Sequence, residues 1–311
     1  MSPTVQCGAV SQVVVVGGTH GNEMSGVCLA KHWLQDPSEL HRKSFTAEVL
    51  LANPIAVERC VRYIDRDLNR SFSHELLSAS GSESDSYEAK RAREIYQKYG
   101  PKQSSLNFVI DLHNTTSNMG TTFLLFKGDN FALHLANYLQ TKCVDPSFPC
   151  HILLIDIPEG GHVHLQSMGK HSVSLELGPQ PQGVARADVL TRMRALVNCS
   201  LDFLDLFNQG TEFPSFETDV HQVLYRADFP RNEDGEIEAV IHSELQFQDK
   251  DYLPLKPGDP IFQRLNGEDI LYNGEKQIYP VFINEAAYYE KKVAFIATEK
   301  THCLVPALKV Q

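Results

Sequence analysis

Short apolar runs alternate with helical patterns through the first two hundred residues of this 311-residue chain. Residues 13–16 are four consecutive valines followed by two glycines, a pattern typical of a strand buried on both faces of a parallel sheet. The same criteria predict further strands at residues 49–52, 108–112, 151–155 and 172–177, and helices at residues 23–34, 87–99, 131–141 and 187–207. This alternation predicts an α/β domain with a mixed or mainly parallel sheet.

The pattern changes after Gly210, where short β-type runs separated by turn signals replace the long helices. These runs lie at residues 223–225, 239–242, 279–283 and 293–297. We therefore expect two domains, an α/β domain at residues 1–210 and a small, mostly β domain at residues 211–311.

Composition narrows the class of protein. Hydrophobic residues make up 42% of the chain, which is enough to build a core without disulfides. The net charge of -11 repels phosphate backbones and argues against nucleic acid as a partner. Seven scattered cysteines with no C-x-x-C pair indicate reduced thiols and a cytoplasmic location. The sequence contains neither a signal-peptide pattern nor 18 consecutive apolar residues, so we expect no transmembrane segment.

Polar residues that could bind a metal follow the first predicted strand. His20 and Glu23 are three residues apart where the strand passes into a helix, so their side chains can converge on one point. Imidazole nitrogens and carboxylates are good zinc ligands, and catalytic zinc usually takes three protein ligands. Taken alone, this spacing is more often a capped helix with an incidental histidine.

A third ligand candidate follows the strand at residues 108–112. His113 would complete a site of two histidines and one carboxylate. Asp111 could hold the second nitrogen of a ligand imidazole, although its alternation with Leu112 could also place it elsewhere.

Glu176 lies near the end of another predicted strand, in which it alternates with apolar residues. A carboxylate in such a position is costly unless it is paired or has a chemical task. In a zinc hydrolase that task would be general base, and a structural salt bridge is an equally open interpretation.

The stretch at residues 62–70 is dense in charge and could be a solvated loop. Beside a metal site it suggests another use, because Arg62 could stabilise an oxyanion. Asn69 and Arg70 could bind a carboxylate in a forked arrangement.

Together these motifs resemble the aspartoacylase family, within the zinc carboxypeptidase-like hydrolases. The matching stretches are GGTHGNE from Gly17, RYIDRDLNR from Arg62, DLHNTTSNMG from Asp111, ELGPQPQGV from Glu176 and YPVFINEAAYYEK from Tyr279. The resemblance implies a zinc carboxypeptidase-like mixed sheet with flanking helices, and a mostly β C-terminal domain that caps the active-site cleft. The α/β part, residues 1–210, would then be the catalytic domain.

The resemblance also implies roles for individual residues. One Zn²⁺ per subunit would be bound by His20, Glu23 and His113, with Glu176 as general acid and base. Arg62 would polarise the scissile amide carbonyl, and Asp67 would support the ligands from outside. The substrate carboxylate would be held by Asn69, Arg70 and Tyr288.

One departure from the family pattern concerns the substrate. Where aspartoacylase has an arginine for the second carboxylate of N-acetylaspartate, this chain has Gln166, and His162 stands where tyrosine is usual. Without that guanidinium, the second carboxylate of an acidic substrate would have no charged partner, so substrates with acidic side chains are disfavoured. Residues 160–171, together with residues 204–217, are more similar to the branch of the family that deacetylates N-acetyl aromatic amino acids and mercapturic acids. That branch implies a cytoplasmic homo-oligomer, dimer or tetramer, able to associate peripherally with the apical membrane.

Three alternatives stay open at this point. The chain could act on N-acetylaspartate if Lys291 or Lys292 binds the second carboxylate. It could cleave peptides if the cleft is open, or it could be a binding protein that has kept the fold without activity. The last is disfavoured because every ligand candidate and Glu176 are present.

Overall fold

The computed structural model describes residues 4–79, 81–82, 84–100, 108–143, 149–156, 164–243 and 246–311. The strands are β1 (Thr4–Cys7), β2 (Gln12–Gly17), β3 (Thr46–Leu51), β4 (Phe108–Asn114), β5 (Thr121–Phe126), β6 (Cys150–Ile155), β7 (His171–Leu177), β8 (Phe216–Ala227), β9 (Ala239–Ile241), β10 (Pro260–Arg264), β11 (Asp269–Leu271), β12 (Tyr279–Val281), β13 (Phe295–Val305) and β14 (Ala307–Val310). The α-helices are α1 (Met24–Gln35), α2 (Pro54–Arg59), α3 (His74–Ser78), α4 (Tyr87–Tyr99), α5 (Asn130–Lys142) and α6 (Ala187–Asn208). Short 3₁₀ turns lie at Pro37–Leu40, Leu68–Arg70, Leu165–Met168 and Ala286–Lys291.

Nine strands form one mixed sheet in the order β12-β13-β8-β6-β5-β7-β4-β2-β3. The block β3, β2, β4 and β7 is parallel, and β5 runs antiparallel to β7. Helices pack on both faces of this sheet, so β2 is buried on both sides. Val13 and Val15 pack into one hydrophobic core and Val14 and Val16 into the other, which explains the unbroken valine run. The predicted fold class, an α/β mixed sheet with flanking helices, is confirmed.

The C-terminal region is mostly β, as expected, but its long strands extend the main sheet. β8 pairs with β6 in parallel at Leu153 and Leu154, and β13 and β12 continue the sheet beyond it. β9, β10 and β11 form a separate three-stranded sheet, and β14 pairs with β1 in a two-stranded sheet. β8 has twelve residues, where the sequence pattern predicts a strand only at residues 223–225. The division at residue 210 stays a prediction.

The expectation of seven reduced thiols is wrong for one pair. Cys143 follows α5, Cys199 lies in α6, and their sulfur atoms are bonded. Since α5 packs against α6, the two cysteines meet although 56 residues separate them. The spacing of the cysteines in the sequence does not predict such a pair.

Transmembrane character was not expected. Within the described ranges, no helix combines the length and the apolar character that crossing a membrane requires.

Candidate metal centre and active site

The candidate ligands gather where three neighbouring parallel strands end. His20 follows β2, His113 lies in β4, and Glu176 lies in β7 as the direct register partner of His113. The loop after β2 must approach α2 closely, because a Cβ at Gly21 would collide with the backbone of Ala56. The carboxyl ends of parallel strands are the usual place for a ligand site in such sheets.

His20, Glu23 and His113 form a buried group whose ligand atoms all lie within 4.8 Å of one another. His20 Nδ1 is 2.6 Å from Glu23 Oε1, and His113 Nδ1 is 2.9 Å from Glu23 Oε2. The first contact lacks hydrogen-bond geometry, so within the described part of the chain His20 Nδ1 is a buried nitrogen without a hydrogen bond. A buried polar atom in that state calls for a partner, and a cation between these ligands would supply it. The donor set therefore fits zinc.

Each ligand imidazole faces a second carboxylate with its other nitrogen. His20 Nε2 is hydrogen-bonded to Asp67 Oδ1 at 3.1 Å, whereas His113 Nε2 lies 2.9 Å from Asp111 Oδ2 without hydrogen-bond geometry. Asp111 also accepts a hydrogen bond from Thr19 Oγ1 at 2.9 Å. Carboxylates behind metal-binding histidines fix the ring orientation and raise ligand basicity. Asp111 thus takes the first of the two positions that the sequence left open.

The charges around the ligands favour ionised carboxylates. Burial raises the pKa of Asp67, but His20, Arg62 and Lys291 outweigh it and hold the pKa well below its usual range. Burial likewise raises the pKa of Glu23, and the two histidines reverse the shift. A carboxylate that stays ionised at every working pH is available to a cation.

Glu176 faces a cavity of about 340 Å³ that His20 and Arg62 also line. Burial is the largest influence on Glu176 and raises the pKa of its carboxyl to about 7, although the nearby His113 opposes the shift. A carboxyl with a pKa near neutrality can both accept and return a proton, which is what a general base that later acts as an acid must do.

The expected substrate-binding residues line the same cavity, namely Arg62, Asn69, Arg70 and Tyr288. Arg62 Nη1 donates to Glu23 Oε1 at 3.1 Å, so its guanidinium lies beside the candidate metal site. Burial raises the pKa of the Tyr288 phenol, which keeps the hydroxyl protonated and able to donate. The three candidate metal ligands, Glu176 and the four expected substrate-binding residues are thus brought together in one place, and their individual roles stay predictions.

The cavity has one apolar wall. Strands β5, β6, β8 and β13 and one loop contribute its side chains. These are Leu124, Leu153, Ile155, Val223, Leu224, Ile296 and, from the loop, Phe282. Gln166 also lines the cavity, and its buried Nε2 has no hydrogen-bond partner among the residues that the structure describes. Its Oε1 accepts a hydrogen bond from Ser174. His162, the other position that departs from the family pattern, lies outside the described residues.

Sequence patterns did not predict the contacts through which three further residues support the site. Glu285 is buried and accepts hydrogen bonds from Thr116 N at 2.8 Å, from Ser117 N at 3.1 Å and from Ser117 Oγ at 3.1 Å. Lys291 Nζ is 2.7 Å from Asp67 Oδ2, and His164 Nδ1 is 2.9 Å from Arg70 Nη1. Each contact joins segments far apart in the chain, so no local spacing reveals it.

Family models match both parts of the chain. A model described as the succinylglutamate desuccinylase/aspartoacylase catalytic domain matches residues 9–204. The chain belongs to this family. A second model, described as the AstE/AspA barrel-sandwich hybrid domain, matches residues 216–300. The aspartoacylase resemblance inferred from the motifs is confirmed.

Individual members of the succinylglutamate desuccinylase/aspartoacylase family are similar over nearly the whole length. The N-acyl-aromatic-L-amino acid amidohydrolase (carboxylate-forming) of Xenopus tropicalis is 99% identical over 100% of both chains. Aspartoacylase of Mus musculus is 47% identical over 94% of this chain and 93% of its own. The crystal structure of murine aminoacylase 3 has a TM-score of 0.93 and 50% identity, covering 98% of this chain and 100% of that one.

Proposed function

We propose that this chain is a zinc-dependent amidohydrolase that cleaves N-acyl amino acids to a carboxylate and a free amino acid. Its preferred substrates would be N-acetyl aromatic amino acids and mercapturic acids, which are S-substituted N-acetylcysteines. The observation that carries the proposal is Glu176, a partly buried carboxyl of raised pKa in register with His113 and beside the candidate metal ligands. The activity named for the Xenopus tropicalis relative supports the same reaction.

Zinc would be held by His20, Glu23 and His113, one ion per subunit, and would supply Lewis acidity and make water nucleophilic at neutral pH. The supporting observations are the convergence of the three ligands and the buried, unpartnered His20 Nδ1.

Glu176 would move the proton that the reaction requires. As the carboxylate, it accepts a proton from the attacking water while the water oxygen bonds to the amide carbon. It then returns that proton to the leaving nitrogen as the C–N bond breaks, so one water is consumed and the amine is released. The negative charge that develops on the carbonyl oxygen would be stabilised by the Arg62 guanidinium.

The substrate carboxylate would be bound by Asn69, Arg70 and Tyr288, all of which line the cavity. Guanidinium and carboxylate groups match in a bidentate geometry, and a phenol adds one more donor. We also propose that residues 211–311 cap the cleft of a catalytic domain at residues 1–210, since Tyr288 and Phe282 reach the cavity from the C-terminal region.

The side-chain preference is supported by the apolar wall and by Gln166. A neutral amide cannot offset a second carboxylate, whereas leucine, isoleucine and valine side chains accept an aromatic ring or a thioether. The alternative substrate, N-acetylaspartate, would need another cation. Two candidate cations lie nearby. The Lys291 ammonium already pairs with Asp67, whereas Arg226 on β8 lines the cavity and its side chain is exposed.

A substrate panel tests this proposal. Purified protein is assayed on N-acetyltyrosine, S-benzyl-N-acetylcysteine and N-acetylaspartate, before and after chelation and after zinc is restored. We expect zinc-dependent hydrolysis of the first two, and a loss of about 10²- to 10⁴-fold in kcat for Glu176→Gln at unchanged zinc content. A preference for N-acetylaspartate would favour the aspartoacylase activity. Indifference to chelation would favour a binding protein.

The cytoplasmic location, the apical membrane association and the dimeric or tetrameric state also stay predictions. Cell fractionation tests the first two, and light scattering of the purified protein tests the third.

A further inference from the structure

His164 lies in the cavity wall, immediately before the 3₁₀ turn Leu165–Met168. Its Nδ1 is 2.9 Å from Arg70 Nη1. A guanidinium can only donate hydrogen bonds, so Nδ1 must be the unprotonated acceptor and the ring proton must be on Nε2. The contact therefore fixes both the tautomer of His164 and one edge of the Arg70 guanidinium.

The next residue holds the other polar side chain of the carboxylate site. Leu165 N donates to Asn69 Oδ1 at 3.0 Å, and Arg70 Nη1 also donates to Asn69 O at 2.8 Å. The amide oxygen of Asn69 is thus engaged, which leaves its NH₂ group as the donor available to a ligand. Two consecutive residues, 164 and 165, orient two consecutive residues, 69 and 70.

The acceptor state of His164 is stable. Burial, followed by the positive charge of Arg70, lowers the pKa of the imidazole to about 3, so the ring stays neutral at working pH. A neutral imidazole accepts a hydrogen bond from the guanidinium without neutralising its positive charge, so that charge remains available to an anion.

We propose that His164 is a positioning residue, which orients the Arg70 guanidinium for the substrate carboxylate through the hydrogen bond at Nδ1. This inference rests on the proposed function, in which Arg70 binds that carboxylate. Forked recognition depends on the plane of the guanidinium, and an arginine that is free to rotate loses that pre-organisation. His164 does not take part in proton transfer, so its effect falls on substrate binding.

The test compares two substitutions at one position. His164→Leu removes the acceptor, whereas His164→Asn places an amide oxygen near the position of Nδ1 and keeps it. The substrates are N-acetyltyrosine and its amide, N-acetyltyrosinamide, which lacks the carboxylate. We expect His164→Leu to raise KM for the acid about tenfold while kcat stays within about twofold, to leave the amide unchanged, and His164→Asn to restore most of the loss.

Arg70→Met separates the two levels of the argument. If Arg70→Met does not change the preference for the acid over the amide, the carboxylate site itself is wrong and the inference falls with it. If Arg70→Met abolishes the preference but His164→Leu does not reduce it, only the role of His164 is overturned. An equal loss on acid and amide, or no rescue by His164→Asn, also overturns it. In an Arg70→Met background, His164→Leu should have no further effect on KM.

Discussion

Lys291 Nζ lies 2.7 Å from one oxygen of Asp67, and the other oxygen of the same carboxylate lies 3.1 Å from His20 Nε2. A lysine of the C-terminal region is thereby connected, through one aspartate, to a candidate metal ligand. The lysine shares Asp67 with Arg62, whose Nη2 is 3.4 Å from Oδ2. The position of His20 therefore depends on residues that the chain supplies more than 200 positions later.

We predict that Lys291→Met weakens metal binding about 10- to 100-fold, because Asp67 loses a partner and holds His20 less firmly. Competition with a chromogenic chelator measures the affinity. The matched control is Lys292→Met, since Lys292 is adjacent and exposed. Equal affinities for the two variants would contradict a supporting role of Lys291.

The rate of hydrolysis should fall in acid. Glu176 must be ionised to accept a proton, and burial raises its pKa to about 7 without a metal. A bound dication favours the ionised form and lowers this pKa, so the acid limb of kcat/KM should have its midpoint between about pH 5 and 7. Profiles between about pH 5 and 9 measure it. A rate that is constant down to pH 5 would argue against Glu176 as the base.

Gln166→Arg should shift the substrate preference toward N-acetylaspartate. The new guanidinium would lie in the cavity wall, where it can pair with a second carboxylate, whereas an apolar substrate side chain would desolvate it without supplying a counter-charge. We expect the ratio of kcat/KM for the two substrates to change at least tenfold. Gln166→Met is the control, because it removes the amide without adding charge. The same shift in both variants would mean that the volume of the side chain at residue 166, and not its charge, determines the substrate preference.

Glu285→Ala should destabilise the protein by about 2 to 4 kcal/mol, because the backbone N–H groups of Thr116 and Ser117 lose their buried acceptor. Urea unfolding of the metal-loaded protein gives the value. Glu290→Ala is the control, since Glu290 is exposed in the 3₁₀ turn that follows Glu285 and accepts only a surface hydrogen bond, from Tyr63, among the described residues. Destabilisation of the control by a similar amount would show that the turn, and not Glu285, is responsible.

The sequence predicts those parts of the site that depend on local patterns. His20, Glu23, His113 and Glu176 follow or end buried strands, and adjacent parallel strands bring such positions to one edge. β5 is not predicted, because a four-residue apolar run after Thr122 does not distinguish a strand from a buried helix.

Contacts between distant segments are equally hidden from the sequence. The continuation of the sheet through β8, the hydrogen bond from Arg70 to His164 and the bonded cysteines join segments that only the tertiary packing brings together.

β1 and β14 pair in parallel, with Thr4 opposite Ala307, although about 300 residues separate them in the chain. During synthesis β1 leaves the ribosome about 300 residues before β14, so it cannot form this pair until β14 has been made. Contacts that close so long a loop form late in folding, because the entropy of closing the loop is lost before the contacts are gained. Any change at residues 307–310 that hinders this pairing should therefore slow folding without touching the active site.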